Sequence, residues 1–189
     1  MNCYDFDKTI YRGDSTTDFF FYLIFTRPYL LVFLPWFLCV GLLFLLRVIS
    51  KKKFKELVFF FVPQMRNIER VVDKFWQHNA NKIEDWYCQC RKDDDIVVSA
   101  SLDFILRPML KLLNIRQFVS TCYNTETGKI IGENCYGEQK VVAFRRAFKN
   151  KKPQVYVSDS LSDLPMMKFA GKGYIVKDGK LNEVDLSRK

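Results

Sequence analysis

The chain of 189 residues contains one histidine, His78. It lies in a charged, helix-like stretch and is expected at the surface, which excludes a nucleophile–histidine–carboxylate relay. Zinc-type cysteine spacing is also missing. Cys3, Cys39, Cys88, Cys90, Cys122 and Cys135 are scattered, and the tightest pair, Cys88 and Cys90, is too close for a usual site. These thiols read as reduced groups of a cytosolic compartment. No apolar stretch precedes Asp5, so a cleaved secretory leader is not expected. The net charge of +9 comes with no nucleic-acid-binding motif, and its basic residues are mixed with acids. An anionic membrane surface accounts for that charge better than a nucleic acid does. Nearly half of the residues are apolar, enough for one domain, or for one domain with a modest insertion.

Against these absences, carboxylates are placed with care. Asp5 and Asp7 stand two residues apart, and Thr9 follows two further on. Spacing alone would also suit a solvated turn or half of a calcium loop. Three later segments narrow the choice. Ile96-Val97-Val98-Ser99 reads as a buried strand ending in a hydroxyl. Lys140 opens a helix-like run just after Asn134-Cys135-Tyr136-Gly137. Val155-Tyr156-Val157 is a second buried strand, followed by Asp159 and, across a strand-to-helix turn, Asp163. Between and beyond them the pattern alternates: helix at 104–113, strand at 118–122, a hairpin turn at 125–129, helix at 137–148, helix at 161–169 and a last strand at 174–176. The tail after Lys177 reads as frayed or as a small hairpin, and Asp93-Asp94-Asp95 as a solvated loop. Such alternation predicts an α/β fold with a doubly wound parallel sheet and a site at the strands' carboxyl ends.

The stretch from 15 to 91 is helical instead. Ser15 is the expected N-cap, with Asp18 completing a capping-box-like start. Pro28 to Leu46 is nineteen residues without a charge, bracketed by Arg27 and Arg47 and followed by Lys51, Lys52, Lys53 and Lys55. As one helix it would span roughly 28 Å, near the ~30 Å of a bilayer's hydrocarbon. A single crossing would separate Asp5 from Ser99, Lys140 and Asp159. The run is therefore expected to be re-entrant, interfacial, or a hairpin with the apolar stretch 57–62, bending at Pro35 and anchored by Trp36. The alternative is the greasy interior of a cap. Apolar residues from Ile68 to Cys90 recur at steps of three and four, predicting one amphipathic helix. The division is thus a core of 1–14 and 92–189 and a helical cap of 15–91, with a membrane-inserting candidate at 28–62.

The chain order Asp, Ser, Lys, Asp, carried by the strings DFDKT, VVSAS, NCYGEQK and VSDSLSDLPM, resembles the phosphatases of the haloacid dehalogenase superfamily. The likeness is to their phosphoserine-phosphatase-like branch, in particular the phosphatidylglycerophosphatase C type. It implies a helical cap inserted after the first strand. It also implies Asp5 as nucleophile forming an aspartyl-phosphate, and Asp7 as the acid/base that serves the leaving oxygen and then water. Related dehalogenases and P-type ATPases lack the second Asp. Ser99 and Lys140 would hold the phosphoryl group, Asn134 would touch substrate, and Thr9 would orient the loop. Asp5, the main-chain carbonyl of Asp7, Asp159 and Asp163 would form an oxygen shell for Mg2+. The implied substrate is a membrane lipid phosphate such as phosphatidylglycerol phosphate, met at the cytoplasmic side of the membrane by a peripheral or re-entrant protein. The alternative is a soluble cytoplasmic phosphatase of phosphoserine type, for which Asp14 is the acidic cap residue. Against it, Ala100-Ser101 replaces that branch's Gly-Gly pair. A non-catalytic scaffold of the same fold would have no use for these buried charges. Protein partners are not legible.

Overall fold

The computed structural model describes residues 1–177 and 179–187. Five parallel strands form the sheet's body: β1 (Cys3–Tyr4), β2 (Ile96–Leu102), β3 (Gln117–Thr121), β6 (Tyr156–Ser158) and β7 (Gly173–Lys177). β8 (Lys180–Glu183) pairs antiparallel with β7, so the tail forms the small hairpin, not a frayed end. The order is β3-β2-β1-β6-β7-β8. Succession runs outward on one side of β1 and then resumes on its other side, which makes the carboxyl end of β1 the switch point where a crevice opens.

Side-chain alternation explains why both faces are covered. Tyr4, Val97 and Val157 face one apolar cluster, and their neighbours Cys3, Ile96, Val98 and Tyr156 face another. On the second face lie α7 (Glu138–Ala147) and α8 (Leu164–Ala170), through Phe144, Met166 and Met167. The first face is covered by α6 (Asp103–Leu112) and by helices of the insertion, among them α1 (Ser15–Thr26) and α4 (Ile68–Asn79). A two-stranded arm, β4 (Tyr123–Asn124) and β5 (Lys129–Ile130), completes the α/β portion.

The insertion shares its apolar core with the sheet: Phe19, Phe75 and Trp76 belong to the cluster that holds Val97 and Leu106, and the Trp76 indole donates to Ile105 O at 2.7 Å. Its two ends are stitched together, Arg12 N to Lys82 O and Glu84 N to Ile10 O, both at 2.8 Å. Several sequence expectations change here. Asp14, not Ser15, caps α1, its carboxylate accepting from Thr17 N at 2.8 Å; Asp18 instead binds the Tyr11 hydroxyl and Lys82. The amphipathic stretch is two helices, because Ile83 leaves the helix to bridge Tyr11 before α5 (Asp85–Cys90) begins. Asp95 is buried, with its carboxylate accepting from Lys92 N, and is no solvated loop residue.

The apolar run is not one rod. A 3-10 turn over Pro28–Phe33 leads into α2 (Leu34–Leu45), with Pro35 at the start where its missing N–H costs nothing. After a turn comes α3 (Lys51–Val58), capped by Ser50. The second apolar stretch is largely enclosed: Val58, Phe59, Phe61 and Val62 are buried in the core shared by the insertion and the sheet. Only the first stretch, with 11% of Pro28–Leu45 buried, exposes its side chains.

Candidate active site

Asp5 follows β1 directly, and the two strands flanking β1 bring the other groups to it. Lys140 comes from the first turn of α7, which begins after Gly137, a residue at φ 58° that an L side chain rarely adopts. Its ammonium is 1% exposed and lies 2.8 Å from Asp5 Oδ2 and 2.6 Å from Asp163 Oδ2. Tyr156 and Ser158 complete this knot: the tyrosine hydroxyl lies 3.0 Å from Lys140 Nζ, and Ser158 Oγ donates to Asp163 Oδ2 at 2.7 Å. Burial alone would lower the Lys140 pKa, but the two carboxylates outweigh it and the net shift is upward. The lysine is therefore a fixed cation. Asp5 is pushed up, because loss of water outweighs the pull of Lys140. Its other oxygen accepts from Phe6 N at 2.7 Å.

Asp7, Ser99, Asn134 and Asp159 line the same cavity of about 620 Å³ as Asp5, Lys140 and Asp163. Ser99 is fully buried where the β2–β3 ladder breaks, after Val98, and its Oγ accepts from Ser101 N at 3.1 Å. The following helix starts at Asp103, close to the 104–113 read from the sequence and four residues beyond Ser99. Lys8, in the left-handed region at φ 55°, turns the chain between Asp7 and Thr9.

These residues lie within a stretch that matches a family model. The haloacid dehalogenase-like hydrolase model matches residues 3–168. The chain belongs to this family. Among solved structures it is similar to a Bordetella pertussis protein of unknown function, at TM-score 0.76 and 16% identity, covering 92% of this chain and 87% of that one. A phosphoserine phosphohydrolase-like protein from Francisella tularensis follows at TM-score 0.58 and 17% identity, over 92% of this chain and 86% of that one. A probable phosphoserine phosphatase from Vibrio cholerae matches at TM-score 0.62 and 13% identity, over 91% and 55%. Among curated proteins, a probable phosphatase of Mycobacterium tuberculosis is 37% identical over 90 residues, 44% of this chain and 31% of the relative. The chain thus spans about a third of that relative's length. At these identities the structural likenesses concern the fold.

Asp7 is partly buried beneath the start of the insertion. Asp7 Oδ1 accepts from Ser15 N at 2.8 Å, and Oδ2 accepts from the Ser101 hydroxyl. Burial first, and then the neighbouring Asp14 charge, push its pKa up to about 6, against the pull of the two serines. Thr9, by contrast, is fully buried, does not line the cavity, and has no hydrogen-bond partner for its hydroxyl. It packs the loop from beneath and does not orient it by a side-chain bond.

Two groups escaped the sequence reading. Ser101 was noted only as a replaced glycine, yet it binds Asp7 and meets Ser15 and Thr16 hydroxyls at 3.1 and 2.9 Å. Lys55, one of the cations that follow the apolar run, turns inward. It reaches from α3 across the cleft to Ala100 O at 2.6 Å and Asn134 Oδ1 at 2.7 Å, and burial lowers its pKa to about 8. Lys52 donates to Gly132 O and Lys51 lies 3.2 Å over the Tyr136 ring. Three lysines thus clasp the core, and a helical i, i+4 match between α3 and the loop at 132–136 was not visible in either segment alone.

The oxygen-only donor set suits a hard divalent cation. Asp5, Asp159 and Asp163 line one cavity, and Asp163 Oδ1 is a buried oxygen with no hydrogen-bond partner. The four-ligand shell is nevertheless not assembled as read. Among the described residues no three acidic, histidine or cysteine side chains group closely enough to hold a metal. The physical reason is Lys140, a built-in cation that takes one oxygen from each of Asp5 and Asp163. Asp163 is in the first place the anchor of Lys140.

Proposed function

We propose that this protein is a Mg2+-dependent phosphomonoester hydrolase working through an aspartyl-phosphate, on a lipid phosphate presented by an anionic membrane surface. The observation that carries the reading is the buried Asp5–Lys140–Asp163 knot opening into the cavity that Asp7 and Ser99 also line. Asp5 would attack phosphorus while Lys140 and Ser99 hold the phosphoryl oxygens, and the P–O bond to the alcohol breaks. Asp7, raised into the range where it is part protonated, would give its proton to the leaving oxygen and then draw one from the water that hydrolyses the acyl phosphate. Asp5, Asp159 and the Asp7 carbonyl would hold Mg2+, which supplies charge neutralisation when bound. Asn134, tied to Lys55, would set the cleft's width.

The lipid part rests on α2. Its outward side chains Leu38, Leu42 and Leu45 are 65, 56 and 78% exposed, and Trp36 and Leu34 continue the patch. Twelve residues make about 18 Å, too short to cross a ~30 Å hydrocarbon core, so this helix would lie in the interface. Phosphatidylglycerol phosphate is the named candidate, and the cytoplasmic leaflet the expected location. A soluble phosphoserine-type reading is favoured by Asp14 lining the cavity, although one Asp14 oxygen is already taken as the cap of α1. The test compares Mg2+-dependent release of phosphate from lipid phosphates in mixed micelles with release from phosphoserine, alongside flotation on anionic liposomes. Faster turnover of phosphoserine and no flotation would contradict the lipid reading.

A further inference from the structure

α2 places Phe37, Gly41 and Phe44 at i, i+4 and i+7, on one stripe of the helix, and all three line the cavity that holds Asp5 and Lys140. Each phenylalanine is fixed by a second ring. Phe37 meets Phe20 edge-on at 5.0 Å, and Phe44 stacks on Phe54 of α3 at 4.4 Å. On this stripe, between the two aromatic pairs, position 41 carries no side chain. A Cβ built on Gly41 would meet no atom within 4 Å, so no close backbone approach requires glycine there. Nor does its conformation, since Gly41 lies inside an α-helix, where glycine is the poorest former after proline. The glycine costs helix stability and leaves an open slot walled by aromatic faces, with Val58 and Phe59 behind.

We infer that the slot at Gly41 seats an unbranched hydrocarbon chain of the substrate, and that Gly41 sets how much chain enters. The inference rests on the phosphomonoesterase reading for its other end, where the phosphoryl group sits on Lys140 and Ser99. A chain leaving that group passes Phe20 and Phe37, crosses the gap and lies along Phe44 and Phe54. A polar or charged group seated in the slot itself would lose its water against these faces, whereas each methylene gains by leaving water.

The test is binding of n-alkyl phosphonates, from ethyl to dodecyl, measured by calorimetry with Mg2+ present and below the concentration at which they form micelles. For the wild type, affinity is expected to rise by up to about fourfold per buried methylene and then level off. In Gly41→Leu the side chain occupies the slot, and the ratio of dodecyl to ethyl affinity is expected to fall by about tenfold or more. Gly41→Ala, a better helix former, should melt at or above the wild-type temperature and show an intermediate ratio. This second variant decides the matter if the leucine protein fails to fold. A wild type without chain-length dependence overturns the inference, and so does the same dependence in Gly41→Ala and Gly41→Leu. Because phosphonate binding needs no turnover, a chain-length slope in a protein that hydrolyses no phosphate would sink the hydrolase reading alone. Hydrolysis of ethyl phosphate without any slope would sink the slot alone.

Discussion

At the scale of single residues the site is governed by the burial of its charges. Lys140 is held by two carboxylates, and removing its charge leaves Asp5 and Asp163 facing each other without a counter-ion. Lys140→Met is therefore expected to lose about 3–5 kcal/mol of stability, read as a lower urea midpoint with an unchanged slope, and to lose phosphatase activity. A variant as stable as wild type would show that the knot is not the closed ion network described. Asp7 gives a pH prediction of definite sign. Its folded pKa, about 6, lies above the usual carboxylate value of 3.8, and Asp5 is shifted the same way. Between those values the folded state binds more protons than the unfolded one, so stability falls as pH rises from about 4 to about 6. In EDTA, denaturation midpoints should drop across that window, and Asp7→Asn should flatten the drop. A rise of stability with pH would contradict the burial of these acids.

At the scale of elements, α2 and α3 were the least legible part of the chain. The nineteen uncharged residues announced an apolar surface, and one face of α2 has it. What the sequence could not show is that 57–62 turns back into the cap and that Lys51, Lys52 and Lys55 point at the core. Hydrophobicity has the same signature whether a segment meets lipid or its own cap, and a lysine's partner 45 or 79 residues away leaves no local trace. Strands flanked by motif residues were read well, because apolar runs of three or four followed by Ser or Asp mark buried parallel strands whatever surrounds them. The α2 surface yields its own prediction. Leu38→Glu with Leu42→Glu should abolish flotation on anionic liposomes while shifting stability by less than about 0.5 kcal/mol per site. Retained flotation would move the membrane contact elsewhere. On α3, Lys55→Met would leave Ala100 O and Asn134 Oδ1 to share the single proton of the Thr121 hydroxyl, at a cost of about 1–3 kcal/mol. Faster proteolysis within 15–91 would report the loosened clasp.

At the scale of the whole molecule, the insertion is not a separate lobe hinged on the sheet. Phe19, Phe75 and Trp76 pack into the same cluster as Val97, Ile105 and Leu106, so the insertion helices share with α6 the cover of the sheet's first face. The division into core and cap read from composition is thus a division of roles more than of cores. Both halves supply the site: the sheet portion brings Asp5, Asp14, Ser99 and Asp159, and the insertion brings Ser15 and Lys55. The four site positions were legible because each sits where a strand ends or a helix begins. The unpartnered Thr9 hydroxyl and the ion pair of Asp163 with Lys140 left no trace in the sequence, because nothing local says which way a side chain turns once buried.

The central claim is that Asp5 carries the phosphoryl group between two chemical steps. It is tested by acid-quenching Asp7→Asn with Mg2+ and p-nitrophenyl phosphate, whose leaving group needs no proton, and locating phosphate by mass spectrometry of the amino-terminal peptide. The account expects phosphate to accumulate on Asp5 and to vanish in Asp5→Asn. Release of p-nitrophenol with no phosphorylated Asp5 at any quench time, or with phosphate on another residue, would contradict it.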